Sequence, residues 1–259
     1  MDELESAGML KNDARLIILI PALNEADNIQ AVIQGLKGRI QTEIVVIDDC
    51  STDQTVCLAR EAGATVLPLA VRLGAWGAIR TGIRYAQKHG FGLVVTMDAD
   101  GQHLPESLDA IIAPVLANRA DVVIGSCTDR GSAARKLTWR FFRYLTGLDI
   151  QDLTSGFRAY DQAAISAILS ADTALLDYQD IGVLLALRKA GFRIVEEPVP
   201  MCARKNGHSR VFSTWWQVLR YLVFTLIICI SEVTLPIRKF QRVDSETTFL
   251  TPLSFAIKR

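Results

Sequence analysis

Asp98-Ala99-Asp100-Gly101-Gln102 puts two carboxylates and an amide within five residues. The run just before it, Gly92-Leu93-Val94-Val95-Thr96-Met97, is apolar and bounded by turn residues, which predicts a buried strand. The polar cluster therefore leaves the carboxyl end of a strand, where open α/β sheets place their ligand crevice. Asp98 and Asp100, two apart on an extended segment, point to the same side, and Gly101 permits a sharp exit. Hard oxygens grouped this way suit Mg2+ or Mn2+ on a diphosphate, since Mg2+ usually takes one or two carboxylates together with substrate phosphates. Asp, Gly and Gln also make ordinary solvated turns, so the surrounding elements decide between the two.

Two upstream segments repeat the pattern. Arg15 to Ile20 reads as a strand ended by Pro21, and the polar Pro21-Ala22-Leu23-Asn24-Glu25 follows. Glu43 to Ile47 reads as a second strand, leading into Asp48-Asp49-Cys50-Ser51-Thr52-Asp53. Between them, Ala26 to Leu36 has helical spacing, and Thr52 or Asp53 can cap a helix running to about Ala62. A short strand at Thr65–Leu67, a helix at Ala75–Lys88 and a strand at Asp121–Gly125 complete the regular part. Strands that alternate with helices, apolar without a two-residue period, imply a mostly parallel sheet with helices on both faces. In that sheet the three polar clusters share one edge. Like charges brought together repel unless a cation or ligand donors compensate. Helix capping explains one such cluster more readily than three.

Gly74, Gly77 and Gly82, with Arg72 and Arg80, open the third helix and either approach a phosphate or pack the helix closely. They form neither a dinucleotide-binding fingerprint nor a P-loop.

The second half is less regular. Arg135–Leu148 and Tyr178–Ala190 have helical spacing, and Phe192–Glu196 reads as a strand. Arg130, Arg135, Lys136, Arg140 and Arg143 interleave with Trp139, Phe141, Phe142 and Tyr144. Helical spacing puts Lys136, Arg140 and Arg143 on one face and Leu137, Phe141 and Tyr144 on an apolar one. The basic face is either solvated or captures an anion, for which the planar fork of arginine is suited. From Pro198 through Ser231 there is no acidic residue. Trp215 to Ile230, as a helix at ~1.5 Å per residue, reaches roughly 24 Å, short of a ~30 Å hydrocarbon core. With Arg220 inside it and Trp215, Trp216 and Tyr221 near one end, it fits an interfacial helix better than a spanning one. A core helix or a dimer contact is the alternative, and the oligomeric state is open.

The chain has 259 residues with 28 basic and 28 acidic side chains, a balance that argues against a nucleic-acid binder. Its five cysteines, at 50, 57, 127, 202 and 229, are scattered without zinc-site spacing, as expected in a reducing compartment. Met1 to Asp13 is acidic and lacks the apolar stretch of a signal peptide, so a cytoplasmic location is expected.

Pro21-Ala22-Leu23-Asn24-Glu25, the Asp48-Asp49-x-Ser51-x-Asp53 pattern, Gly74 to Gly82, Asp98 to Gln102 and Thr154-Ser155-Gly156-Phe157-Arg158 occur in that order. Together they resemble the family 2 glycosyltransferases of GT-A fold, and within them the dolichyl- or polyprenyl-phosphate glycosyltransferases. The resemblance spans roughly residues 15–212 and implies a GT-A domain over 1–212, followed by a membrane-associating apolar helix and tail over 213–259. It implies that Pro21, Asn24, Glu25, Asp48, Asp49 and Asp98 line a nucleoside-diphosphate sugar, and that Asp98, Asp100 and Gln102 hold Mg2+ or Mn2+. By the same resemblance Asp100, Arg158 and Asp180 are the catalytic candidates, with Asp152 behind Asp180 as a base. Arg204 to Val211 resembles a basic acceptor loop. Relatives often carry Arg directly after the equivalent of Gly125-Ser126, where this chain has Cys127. Arg130 or Arg135 then joins Arg158 and Arg204 on an acceptor phosphate. The implied reaction is metal-dependent, inverting sugar transfer to a polyprenyl phosphate, by a protein peripheral or monotopic on the cytoplasmic membrane face. Transfer to a saccharide or lipid hydroxyl, with Asp180 as base, is the alternative. A non-catalytic membrane-associated nucleotide-binding protein, a nucleotidyltransferase and an RNA-binding surface are further rivals.

Overall fold

A computed structural model describes residues 15–127, 133–148, 150–152, 155–169 and 181–202, together with 223 and 226, with backbone alone at 133–138 and 145. Of the segments singled out above, Arg130, Thr154, Tyr178–Asp180, Arg204–Val211 and nearly all of Trp215–Ile230 lie outside the described residues, and so does the side chain of Arg135.

Three apolar runs form adjacent parallel strands: β1 (Arg15–Ala22), β2 (Glu43–Asp48) and β4 (Phe91–Thr96). With β3 (Thr65–Pro68), β5 (Val122–Ser126), β6 (Arg158–Asp161) and β7 (Ile194–Pro198) they make a seven-stranded sheet of order β3-β2-β1-β4-β6-β5-β7. The mostly parallel, helix-covered sheet is as the sequence predicts. β1 runs through Pro21 instead of stopping there, with Pro21 opposite Ile47 and Ala22 opposite Asp48. Its ladder to β4 has ended at Leu19, so on that side the missing proline N–H costs no bond.

β6 has no counterpart in the sequence reading. It is four residues long, carries Arg and Asp, and shows no apolar run. It enters the sheet from the edge where the polar clusters lie and runs antiparallel between β4 and β5, pairing Arg158 with both Thr96 and Ile124. The turn before it, Ser155 to Phe157, is thereby brought beside the end of β4.

Alternate strand residues feed two cores. Ile18, Ile20, Val46 and Val95 pack under α1 (Ile29–Arg39), α2 (Thr55–Glu61) and α4 (Leu108–Leu116). On the other face, Ile17, Leu19, Val45 and Val94 pack under α3 (Gly74–Lys88), α6 (Gln162–Ile168) and α7 (Ile181–Lys189). α1 starts three residues later than its spacing predicts, because the Glu25 carbonyl accepts from Asn28 and Ile29 N–H and makes 25–28 a turn.

A third cluster joins Ile124 to Trp139 and Phe142 of α5 (Ala133–Thr146) and to Ile181, Leu184 and Leu185 of α7, with Leu226 packed against it. This corrects the predicted apolar face of α5. Trp139 and Phe142 are buried, whereas Phe141 is 51% and Tyr144 89% exposed. Trp139 and Phe142 are the aromatics that Ile124 and α7 cover.

At the opposite edge of the sheet, buried Asp121 accepts from the Arg193 backbone N–H (2.7 Å) and guanidinium (2.7 Å). These bonds, led by the side-chain hydrogen bond, raise the Arg193 pKa further above the usual arginine value. Asp121→Ala is expected to destabilise the fold by about 2–3 kcal/mol, because it leaves that N–H without an acceptor. Urea denaturation checks this, with kcat per folded molecule expected to stay unchanged.

Candidate active site

The β1 and β2 exits are laced into one unit. Asn24, in a left-handed conformation (φ 54°), accepts from Thr52 N–H at 2.7 Å, and its own N–H donates to Ser51 Oγ at 2.8 Å. The Glu25 N–H donates to Thr55 Oγ1 (2.8 Å). The Asp53 carboxylate accepts from Ala26 N–H (3.2 Å) and from Thr55 N–H (3.0 Å). Asp53 thus clamps both loops together just ahead of α2 rather than serving only as a helix cap. Asn24 is likewise occupied with loop structure. The Glu25 carboxylate accepts from Asn28 Nδ2 at 3.0 Å and is half-buried at the rim.

Asp48 and Asp49 are both buried, but they differ in what they hold. Asp49 Oδ1 accepts from Leu73 N–H (2.6 Å) and Oδ2 from Gly74 N–H (2.9 Å), so its carboxylate closes the amino end of α3. Asp48 Oδ2 accepts from Ser51 N–H at 3.2 Å, while Oδ1 is buried without a hydrogen-bond partner among the described residues. A buried acceptor in that state is costly unless a ligand donor meets it. Asp48 is therefore the better ligand-binding candidate. Asp49→Ala is expected to cost about 1–2 kcal/mol in denaturant titrations, the usual price of losing a helix cap.

This capping also answers the question posed by Gly74, Gly77 and Gly82. The α3 amino terminus already holds a carboxylate. A Cβ on Gly82 would lie 2.8 Å from Ile47 Cδ1, so Gly82 exists for close packing on the sheet. Burial, with the neighbouring Arg84 charge, lowers the Arg80 pKa below the usual arginine value.

After β4, Met97 and Ala99 are buried while Asp98 and Asp100 are half-buried, the alternation expected of an extended segment. Gly101 turns at φ +73°. Asp100 Oδ1 accepts from Gln102 N–H (3.1 Å), and Gln102 Nε2 donates to the Cys202 carbonyl (3.3 Å). Asp98 lies against the bare Cα of Gly156, where a Cβ would come within 2.4 Å of Oδ1. Among the described residues no three His, Cys, Asp or Glu side chains form a ready cation cage. Two carboxylates and an amide oxygen fit a hard divalent ion whose remaining ligands come from a diphosphate.

Arg158 is 1% exposed, and its Nε donates to the Ser155 carbonyl at 2.8 Å. Ser155 Oγ donates to the Gly125 carbonyl (2.5 Å) and Thr96 Oγ1 to the Gly156 carbonyl (2.7 Å), which ties the Ser-Gly-Phe-Arg turn to the ends of β5 and β4. Asp152 is fully buried, with Oδ2 accepting from Cys127 N–H at 3.4 Å. Glu196 of β7 holds its backbone by accepting from Asp152 N–H (2.7 Å). The structure thus brings Pro21, Asn24, Glu25, Asp48, Asp49, Asp98, Asp100, Gln102 and Arg158 to one sheet edge.

Two residues with a part in this arrangement escaped the sequence reading. One is Glu196. The other is His103, buried beside Asp98 with Nε2 at 3.2 Å from Oδ2. A histidine directly following Gln102 and leading into Leu104-Pro105 was the available signal.

Comparison with known proteins agrees with this geometry. Residues 17–169 match the Glycosyl transferase family 2 model. Polyprenol monophosphomannose synthase of Mycolicibacterium smegmatis is 30% identical over 80% of this chain and 84% of its own length. Undecaprenyl-phosphate mannosyltransferase of Micrococcus luteus is 30% identical over 76% of this chain and 87% of its own. Glucosyl-3-phosphoglycerate synthase from Mycobacterium tuberculosis, in a crystal structure with Mn2+, uridine diphosphate and phosphoglyceric acid, superposes with a TM-score of 0.69 at 19% identity, covering 86% of this chain and 80% of that one. The strand-end clusters, the GT-A-like sheet and these matches agree: the chain belongs to glycosyl transferase family 2 and is a glycosyltransferase.

Proposed function

We propose that this enzyme transfers a sugar, with inversion, from a nucleoside diphosphate to a polyprenyl phosphate at the cytoplasmic face of a membrane. The observation that carries the donor half is the placement of Asp48, Asp98 and Asp100 at the same-edge ends of β2 and β4, the two strands that flank β1. Polyprenyl-phosphate sugar transferases among the relatives support the acceptor half.

Asp48, with its open buried oxygen, accepts a hydrogen bond from the nucleoside, beside Pro21 and Glu25. Asp98, Asp100 and Gln102 would hold Mg2+ or Mn2+. That ion supplies Lewis-acid stabilisation of charge on the departing diphosphate, so no protein acid is required. An acceptor phosphate is already ionised near neutral pH and needs orientation more than deprotonation. Arg130, Arg135 and Arg204 are proposed to orient it, with Arg158 supporting the edge from within the sheet. A hydroxyl acceptor would need a carboxylate base in reach. Asp180 is the candidate there, because Asp152 is fully buried. Asp180→Asn separates the cases: most activity survives with a phosphate acceptor, and nearly all is lost with a hydroxyl.

A thermal-shift screen of nucleoside-diphosphate sugars, each with Mg2+ and with Mn2+, tests the donor half. A rise in melting temperature that needs both sugar nucleotide and cation is expected, and no shift with any donor would overturn it.

Residues 1–212 are proposed as the catalytic unit and 213–259 as the membrane-associating part. No helix among the described residues is long and apolar enough to cross a membrane. Exposed Phe141 and Tyr144 beside exposed Arg140 on α5, and Leu226 packed on the same cluster, support contact with an anionic lipid surface. The full-length protein is expected to float with anionic liposomes. The Phe141→Ser/Tyr144→Ser double variant should partition about tenfold less, given the apolar area lost. Equal flotation of the two would exclude α5 from the contact.

A further inference from the structure

We infer that His103 is a positioning residue that fixes the Asp98 carboxylate for the divalent cation of the donor diphosphate, an assignment that rests on the metal-dependent reading above. Asp98 is exposed over 43% of its side chain and sits two residues from another carboxylate, so its orientation needs support. Two of its contacts contribute to it. On one side is the bare Cα of Gly156, too close for any side chain. On the other is His103, with Nε2 at 3.2 Å from Asp98 Oδ2.

The imidazole is itself held. Its ring packs on Phe157, with centroids 5.0 Å apart, and its backbone pairs with Met201 in an isolated antiparallel bridge. Phe157 belongs to the same turn as Gly156, so one element supplies both the floor under Asp98 and the wall behind His103. The tautomer follows from the hydrogen-bond network. Among the described residues Nδ1 is buried without a partner, so a proton there would be a donor with no acceptor. With the proton assigned to Nε2 on that ground, the imidazole donates to Asp98 Oδ2. Such outer partners orient metal ligands, and their loss typically weakens metal affinity by about 10–100-fold.

The test measures Mn2+ binding without turnover, by electron paramagnetic resonance of free Mn2+ in the presence of UDP or GDP. His103→Phe keeps the ring packing and removes the donor, and its Mn2+ affinity is expected to fall by about 10–100-fold. His103→Gln returns an amide N–H near the Nε2 position and should recover affinity to within about threefold, a rescue that a purely structural role would not produce. Should His103→Phe fail to fold, Gln is compared with His103→Asn, whose amide reaches only the Nδ1 position; tighter Mn2+ binding by Gln supports the assignment and equal binding overturns it. Undiminished binding by a folded His103→Phe, or no recovery with Gln, also overturns it and leaves the metal site standing. If the unaltered protein retains no Mn2+ with either nucleotide, the metal-dependent reading falls and this assignment with it.

Discussion

Asp100→Ala is expected to lower kcat/KM by about 1000-fold, the scale lost when a group that stabilises transition-state charge is removed. The fold should lose no more than about 1 kcal/mol, because this carboxylate is half-buried and its bond from Gln102 N–H (3.1 Å) lies within its own turn. Activity and stability are thus expected to separate, which distinguishes a ligand-holding carboxylate from a turn-forming one. Release of nucleoside diphosphate at saturating Mn2+, alongside calorimetric unfolding, measures both. If the variant turned over normally and still required the cation, the ion would have to bind elsewhere. Asp100→Asn preserves the turn bond through its amide oxygen and should lose nearly as much activity with even less change in stability.

Gly156→Ala carries the second large effect. A Cβ there would stand 2.4 Å from Asp98 Oδ1, 2.8 Å from Oδ2 and 2.9 Å from Cγ, so the carboxylate or the turn must move. His103 on the far side of Asp98 limits that movement. Overpacking of this kind costs about 1–3 kcal/mol. A ligand displaced by about 1 Å can cost about 100-fold in rate, and that loss is expected in kcat per folded molecule. Gly82→Ala is the control. Its Cβ would meet Ile47 Cδ1 at 2.8 Å and Leu19 Cδ1 at 3.0 Å, inside the hydrophobic core. It should lower stability comparably and leave kcat of the folded fraction unchanged. A Gly156→Ala enzyme with full kcat would show that Asp98 tolerates displacement and is not a critical ligand.

The membrane reading and the catalytic reading meet at α5. The helix buries Trp139 and Phe142 against Ile124 and α7 and turns Phe141 and Tyr144 outward. α5 packs on Ile124, two residues before β5 ends at Ser126 next to the Ser-Gly-Phe-Arg turn.

Much of this protein was legible in its residues alone. Apolar runs such as Glu43–Ile47 and Gly92–Met97 are local signals, because a strand buried on both faces must be apolar throughout. The polar clusters that follow them had to share an edge once the strands were parallel. The Asp98-x-Asp100 pair needed only strand alternation to be recognised. What tertiary structure alone decided depends on groups that meet across long stretches of chain. β6 is a strand because β4 and β5 leave a slot between them, not because Arg158–Asp161 favours one. Asp49 caps α3 because Leu73 and Gly74 fold back onto it, and so it parts company with its neighbour Asp48. Packing against Ile124 and α7 buried Trp139 and Phe142 of α5 in place of the expected Phe141 and Tyr144. His103 gains its role only when Phe157 and Gly156, more than fifty positions away, close around Asp98. Sequence periodicity determines which residues can face inward, and the sum of packing contacts determines what each one meets there.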